Sequence, residues 1–421
     1  MNRTLAPQIQ LPTQLSFGHV HQETLPNGLP LYVLDGTTQN VFQLNLLFQA
    51  GRFFESQKML AGLCASTILK GTQTKNAAEI AESIDFYGAT IKFQANMYSA
   101  QLSLFCLSEK LPQVLPLLMD VLQNATFPIE ELKKIKAKSK QKLAVQWEKN
   151  GYIATQHFNQ AIFGEKHAFG YLSAKEDIDA ITRENVQEHY QKHFQLNTRS
   201  KALVAGSIGT QELSLLQEHL GQIQLQNSGS HHISIQTTKE KDLEIASKNT
   251  LQAAIRVGMP AINIHHPDFE ELQVLNTVLG GYFGSRLMSN IREEKGFTYG
   301  IYSFINPIMD TGYFCIATEV GEQYKKQTLK EIEFEINRLR NEPIPEKELA
   351  MVKNYMIGQL MKSVDGPLSM IGTLKNFLIF GLDLNEINKQ LSNIHAIKAS
   401  RLQTLAQEYL DYSKMIKVVA G

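Results

Sequence analysis

At 421 residues the chain is too long for one ordinary hydrophobic core, so two or more domains are expected. Lys and Arg number 41 and are balanced by 41 Asp and Glu, which argues against a strongly basic nucleic-acid surface. No apolar run approaches the roughly 20 residues of a membrane span. Three separated cysteines (Cys64, Cys106 and Cys315) lack CxxC spacing and indicate buried thiols in a reducing compartment.

The first half opens with a predicted strand, VFQLNLLFQAG, followed by paired helices from residue 59 onward. In MLAGLCASTILK the apolar face recurs at the three-and-four spacing of a buried helix, and its members are Leu60, Leu63, Cys64, Thr67 and Ile68. Downstream, ATIKFQANMYSAQLSLFCLS predicts a strand and KLPQVLPLLMDVLQNA a helix. A second, longer helix, FPIEELKKIKAKSKQKLAVQW, has Pro128 at its start, where a missing N–H costs nothing.

The second half repeats this order. TYGIYSFINPIMDTGYFCIATEV is followed by the helical QTLKEIEFEINRLRNE and IPEKELAMVKNYMIGQLMKSV, with Pro345 in the place of Pro128. Each half closes with a helix and a short apolar strand, ending at Gly206 and at Gly421. The repeat predicts an α+β fold of two homologous α/β-sandwich domains, each an antiparallel-rich sheet with helices packed on it. We expect these domains at residues 1–220 and 243–421, joined by a polar linker at 221–242.

The most informative stretch is LGGYFGSRLMSNIREEKGFTYGIYS, residues 279–303. A helix is predicted to begin at Asp268, with Glu271 completing a capping box, and to run to the Gly280-Gly281 pair. The glycines do not fit a phosphate-binding loop, so a tight turn with close backbone approach is expected. A following helix carries Arg286 and Arg292, and a strand with Tyr299 and Tyr302 comes after Gly296.

This stretch closely resembles the second-domain signature of the pitrilysin/insulinase (inverzincin) family of zinc peptidases. ETLPNGLPLYVL, LFQAGRFFE and AGLCASTILKGTQTKNAAEIAESIDFYGATI follow the family's first-domain pattern, so the resemblance covers nearly the whole chain. It implies that Arg292 and Tyr299 engage the substrate carbonyl. Secondary substrate-binding candidates are Gly280, Gly281, Ser285 and Tyr302, although Tyr302 and Arg286 also fit a packing role.

The residue types suit that chemistry. A guanidinium stays ionised and a phenol adds a further donor, so the pair can stabilise negative charge growing on a carbonyl oxygen. The ordinary alternative is an Arg at a helix end and tyrosines that alternate along a strand.

The family's catalytic members carry the zinc motif H-x-x-E-H on the helix that corresponds to residues 59–70. Anchoring the comparison on GLC places Ala65, Ile68 and Leu69 in the motif, and anchoring it on KGT places Gly62, Ala65 and Ser66 there. The downstream Glu ligand falls near Gln141 or Lys142, and a Lys ammonium would repel a dication. We therefore expect no metal site and no cofactor in this chain.

Other candidates for chemistry have simpler explanations. His189 and His193 have metal-pair spacing but no identifiable third ligand, so helix packing is expected. The pairs 231–232 and 265–266 are expected to be loop histidines. Cys64 lies on the buried stripe, which indicates an inert thiol, and the basic run at 130–142 indicates a solvated helix face.

Three functions remain open. The favoured one is the zinc-less subunit of a two-subunit peptidase, as in the family's two-chain bacterial members and the mitochondrial processing peptidase. Its partners would be a zinc-bearing homologous subunit, which holds the metal, and an extended peptide. The alternatives are a non-catalytic scaffold of the same fold and a self-sufficient hydrolase that uses Cys64 or an unexpected metal. No signal peptide is visible, so a bacterial cytoplasmic location is expected.

Overall fold

The computed structural model describes residues 10–37, 39–227, 242–247, 251–309 and 311–421. Within these ranges the chain forms two β-sheets with helices packed on them. The strands are β1 His19–Thr24, β2 Pro30–Asp35, β3 Val41–Phe48, β4 Thr90–Ala95, β5 Ala100–Leu107, β6 Lys201–Gly206, β7 Asp242–Ile245, β8 Gln252–Ala261, β9 Thr298–Ile308, β10 Thr311–Gly321 and β11 Ile416–Ala420.

The α-helices of the first half are α1 Leu60–Thr67, α2 Ala77–Phe86, α3 Leu111–Asn124, α4 Ile129–Gln146, α5 Asn150–Phe163, α6 Lys175–Ala180, α7 Arg183–His193 and α8 Thr210–His219. Those of the second half are α9 Phe269–Asn276, α10 Lys325–Asn341, α11 Glu346–Ser363, α12 Pro367–Ile379, α13 Asn385–Ala396 and α14 Ala399–Tyr409. Two π-helical segments, Thr277–Gly281 and Met288–Glu294, lie between α9 and β9.

The two sheets share one topology. The first has the order β1-β2-β6-β3-β5-β4 and the second the order β7-β11-β8-β10-β9. Leaving β1 aside, each sheet has one parallel pair, β2 with β6 and β7 with β11, and its other pairs are antiparallel. Pro128 and Pro345 immediately precede α4 and α11, each with φ −58°. The predicted α+β fold of two duplicated domains is confirmed.

One element differs from prediction. The segment expected to be a single strand is a hairpin of β4 and β5, closed by a hydrogen bond from the Asn96 N–H to the Ser99 carbonyl oxygen (2.8 Å). Its counterpart in the second half is the hairpin of β9 and β10. Antiparallel pairing satisfies backbone groups that one long strand would leave without partners. The turn residues 96–99, NMYS, contain no glycine, so the sequence gives little signal for it.

Each half has its own core, and the halves also exchange helices. Helix α5 of the first half packs on β8 and β11 of the second sheet, where the Phe158 ring lies against Gly258. Helix α12 of the second half packs on β2 and β6 of the first sheet through Met370 and Leu374. Arg256 of β8 donates to the Gly151 carbonyl oxygen of α5 (3.0 Å). The two sheets are therefore joined through apolar surface, and burial of that surface stabilises the pair.

The predicted linker, 221–242, falls largely on residues 228–241, which lie outside the described ranges. The domain boundaries therefore stay a prediction. In the part of the chain that the structure covers, no helix is long and apolar enough to cross a membrane.

Candidate functional site

Helix α9 and the π-helix that follows it bring the glycine pair against β9. A Cβ at Gly280 would lie 2.6 Å from the Ser303 backbone nitrogen, so only glycine allows this approach. At Gly281 a Cβ would lie 3.2 Å from Thr277 Oγ1. Close backbone approach thus accounts for Gly280, and its substrate-binding assignment stays a prediction.

The capping box predicted at the start of α9 is wrong. Asp268 has helical backbone angles and makes no side-chain cap. Its carboxylate instead accepts hydrogen bonds from Arg401 (2.6 Å) and from the Tyr409 hydroxyl (2.7 Å), and Glu271 accepts a second bond from Arg401 (2.6 Å). The two carboxylates that a capping box would use are thus bound by the Arg401 guanidinium of α14 through charge-assisted hydrogen bonds.

The helix that carries Arg292 is anchored by buried polar groups. Arg286 donates two hydrogen bonds to Glu348, both of 2.8 Å, and is 7% exposed. Asn290 donates to Glu335 (2.7 Å), which is almost fully buried, and burial raises the pKa of that carboxyl. A two-point Arg–carboxylate bond fixes orientation as well as position. Arg286 is therefore a packing and orienting residue, one of the two roles considered for it.

Arg292 lies in the last turn of this π-helix and points outward. Its side chain is 33% exposed, and its guanidinium carbon lies 4.5 Å from the centre of the Phe283 ring. The nearest carboxylate that forms an ion pair with it is its neighbour Glu293, at 3.9 Å. An aromatic ring on one side limits the rotamers of the side chain and leaves the fork of donors available.

Tyr299 is turned outward by a β-bulge. Thr298 pairs with Val320 and Ile301 with Thr318, so Tyr299 and Gly300 together face one residue of β10. A bulge of this kind redirects a side chain. Tyr299 is 94% exposed, more than any other large hydrophobic residue in the described ranges.

The turn between helix and strand depends on Gly296. This residue has φ +65°, and the Phe297 N–H donates to the Ile291 carbonyl oxygen (3.0 Å) to close the helix. The outcome is that Arg292 and Tyr299 flank one short turn with neither side chain buried. Tyr302 is 51% exposed further along β9.

Ser285 is 1% exposed, and its hydroxyl has no hydrogen-bond partner among the described residues. In this conformation its side chain does not face solvent. Its assignment to substrate binding stays a prediction.

The helix that corresponds to the family's zinc helix is α1, and its buried face matches the sequence analysis. All five predicted stripe residues are buried. Gly62 and Ser66 are the exposed positions of α1, and Ala65 is 4% exposed. The KGT anchor thus places both histidine positions on the exposed face, whereas the GLC anchor places them at buried or half-buried sites.

Zinc does not fit this face. Gly62 has no side chain, the Ser66 hydroxyl donates to the Gly62 carbonyl oxygen (2.8 Å), and Lys142 of the packed helix α4 lines the cavity beside Gly62. Zinc sites use Cys, His and carboxylate ligands. No group of three or more such residues is arranged for a metal ion within the described ranges.

Sequence reasoning missed the group that holds the start of α1. Glu55, whose side chain is 4% exposed, accepts hydrogen bonds from the Met59 and Ala61 N–H groups (3.3 and 3.0 Å) and from the Tyr171 hydroxyl (2.5 Å). Arg52 Nε donates to the same hydroxyl (2.8 Å), and burial raises the pKa of Glu55. The acidic residue upstream of α1 was the available signal, because carboxylates favour helix starts.

The remaining candidates have the expected local settings. The rings of His189 and His193 lie 4.9 Å apart, and His189 is 4% exposed, so it packs inside the first half. Burial raises the pKa of the Cys64 thiol well above its usual value, which disfavours the reactive thiolate. His265 lies in an exposed turn, and 231–232 lie outside the described residues.

Comparison with known families fits this geometry. The family described as "Insulinase (Peptidase family M16)" matches residues 33–176, and the one described as "Peptidase M16 inactive domain" matches residues 180–356. The chain belongs to peptidase family M16. The resemblance stated from the sequence is therefore confirmed.

Curated relatives span almost the same length. A Bacillus subtilis protein described as the uncharacterized zinc protease YmxG is 26% identical over 92% of this chain and 95% of its own length. A Helicobacter pylori protein described as the non-peptidase homolog YmxG is 23% identical over 94% of this chain and 92% of its own length.

Solved structures share the fold. The crystal structure of a peptidase M16 inactive domain from Pseudomonas fluorescens has a TM-score of 0.86 at 23% identity, covering 96% of this chain and 98% of that one. A Helicobacter pylori protease has a TM-score of 0.85 at 16% identity, covering 96% and 99%.

Proposed function

We propose that this chain is the zinc-less subunit of a two-subunit M16 peptidase. It would contribute Arg292 and Tyr299 to peptide hydrolysis at a zinc site held by a homologous partner. The observation that carries the proposal is the contrast between two regions. The α1 face has no zinc ligand, while Arg292 and Tyr299 are held outward by a closed helix end and a β-bulge.

The chemical role follows from the donors. Peptide hydrolysis places negative charge on the carbonyl oxygen, and a guanidinium with a phenol can donate to that oxygen. Both groups are anchored through the backbone of one turn, so little reorganisation is needed when charge develops. The partner would supply the metal and its bound water.

Reconstitution tests the proposal. The purified chain is mixed with a zinc-bearing M16 homologue from the same organism, and hydrolysis of an internally quenched peptide is followed. We expect turnover to need both chains, and Tyr299→Phe to lower it. Tyr87→Phe, which removes a hydroxyl in the first half, serves as the control. Zinc-bearing homologue that turns over equally well alone would contradict the proposal.

The non-catalytic scaffold is the second candidate, and it is favoured by the same lack of ligands on α1. It predicts an assembly without peptidase activity. If every zinc-bearing M16 chain of the organism fails to associate with this one, and affinity purification yields a stable complex free of peptidases, the scaffold is the correct function.

A further inference from the structure

The exposed face of α1, where the KGT anchor places the family's zinc motif, borders a cavity of about 500 Å³, a volume typical of ligand sites. It lies where the exposed face of α1 meets α4, and its polar lining includes Arg52, Lys142, Gln146, Gln156 and Tyr152. Gly62 leaves space there, since nothing lies within 4 Å of the position its Cβ would take.

The charge of this cavity has one sign. Arg52 and Lys142 are the charged residues among the described residues that line it, and both are cationic. Lys142 is exposed and forms no ion pair with another described residue. The charge of the lining therefore favours an anion and disfavours a dication.

Arg52 is oriented for such a ligand. Its guanidinium carbon lies 4.1 Å from the centre of the Tyr171 ring, and Nε donates to the Tyr171 hydroxyl. Glu55, 3.9 Å from Nε, offsets part of the charge but does not line this cavity. The two terminal amino groups form no hydrogen bond with a described residue, and they are the atoms that grip a carboxylate.

An exposed sheet edge ends at the same place. Among the described residues, strand β4 pairs with β5 alone at the edge of the first sheet, and its last residue, Ala95, lines the cavity. The next carbonyl oxygen, that of Asn96, accepts a hydrogen bond from the Arg52 N–H (3.0 Å). A peptide that adds to β4 as a parallel strand would therefore bring its C-terminal end to Arg52, whereas an antiparallel peptide would bring its N-terminal end there.

We propose that the cavity binds the C-terminal carboxylate of an extended peptide, with Arg52 and Lys142 holding the carboxylate and β4 pairing with the peptide backbone. Gln146 and Gln156 offer uncharged donors and acceptors for the terminal amide groups. This binding needs neither zinc nor a partner subunit, so it stands independently of the catalytic role of Arg292 and Tyr299.

The test uses the full chain alone and one fluorescent, unstructured decapeptide made in two forms, with a free C-terminal carboxylate and with a C-terminal amide. Fluorescence anisotropy measures each Kd. We expect the amide to bind at least tenfold more weakly. Lys142→Glu should weaken binding of the free acid at least tenfold and remove the preference for it.

Lys133→Glu is the matched control. It makes the same charge change on α4, and at about 100° per residue its nine-residue separation from Lys142 places it on the opposite face of the helix. It should leave both Kd values unchanged, and thermal unfolding checks that each variant is folded. Equal binding of acid and amide by the unmodified chain, or no binding of either, would overturn the proposal. Because binding is measured with this chain alone, without a zinc-bearing homologue, the result is separate from the turnover that tests the proposed catalytic role.

Discussion

The two repeats place the same kind of element in the same topological position, and they have diverged there. In the first repeat, the helix that follows β3 has Gly62 and Ser66 at its exposed positions, and Gly62 lines a cavity together with Lys142. In the second, the helical segments that follow β8 lead to Arg292 and to the outward-turned Tyr299.

The comparison separates the apolar contacts that maintain the fold from the polar groups that would form a functional site. Both segments bury an apolar stripe against their own sheet, and that burial maintains the architecture. Each also has a buried polar anchor, Glu55 at the start of α1 and Arg286 with Glu348 in the second repeat. Only in the second repeat does the anchored helix lead to a guanidinium and a phenol that are not buried, those of Arg292 and Tyr299. Such anchors are expected where the orientation of a functional side chain matters.

The largest expected effect comes from placing the ligands of the family's zinc motif on the first repeat. Gly62→His and Ser66→His place two imidazoles at i and i+4 on the exposed face, and Lys142→Glu adds a carboxylate from α4. We expect the triple variant to bind Zn²⁺ with a Kd of about 1 μM, or about 8 kcal/mol. Isothermal titration calorimetry measures this.

The matched control is the other anchor, Ala65→His with Leu69→His and Lys142→Glu. Because Ala65 is 4% exposed and Leu69 packs against the core, this variant should lose stability and bind no zinc. Equal zinc affinity in the two variants would contradict the KGT alignment of the zinc motif.

The second prediction compares how two arginines of one helix, Arg286 and Arg292, contribute to the free energy of unfolding. Arg286→Ala leaves Glu348 without its two-point partner at a largely buried site, and should lower the free energy of unfolding by about 3 kcal/mol. Arg292→Ala removes a partly exposed side chain whose contact is the Phe283 ring, and should change it by about 1 kcal/mol or less. Urea denaturation of both variants checks the difference, and similar losses would mean that Arg292 is structural.

The third prediction concerns the loss of folding stability as the pH is lowered. Burial, with a smaller contribution from His193, lowers the pKa of His189 to about 4, and α14 in the second repeat has no histidine. Between that value and the unfolded pKa of about 6.5, the unfolded chain binds the proton and the folded chain does not, so stability falls as pH falls. From pH 7 to pH 5 the loss should be about 2 kcal/mol. His189→Gln should reduce the slope of the free energy of unfolding against pH, measured by urea titration. An unchanged slope would mean that a group other than His189 causes the pH dependence.

Periodicity was enough to predict much of the fold. The stripe on α1, the helix starts after Pro128 and Pro345, and the matching closures at Gly206 and Gly421 are local signals repeated in both halves. Features that depend on tertiary contacts were not predictable in this way. The hairpin turn at 96–99 has no glycine, and the carboxylate of Asp268 is taken by Arg401, which lies 133 residues away.

The site was predictable only in part for the same reason. The sequence identified Arg292 and Tyr299 through the resemblance, but not the bulge that turns Tyr299 outward. It left two alignments of the zinc motif open, and the exposure of Gly62 and Ser66 on α1 favours the KGT alignment. It could not show that Arg52 and Lys142 meet in one cavity, because they are far apart in the chain.

The central claim is that Arg292 acts on a substrate whose metal is held by another chain. The most direct measurement is kcat of the zinc-bearing homologue, saturated with either the unmodified chain or Arg292→Ala, with the association Kd measured separately. Removing one such donor typically costs roughly 2.7–4 kcal/mol. We predict that kcat falls about 10²- to 10³-fold while the association Kd is unchanged, and that Arg199→Ala, at an exposed position of the first half, keeps full kcat. An unchanged kcat at saturation with Arg292→Ala would contradict the account.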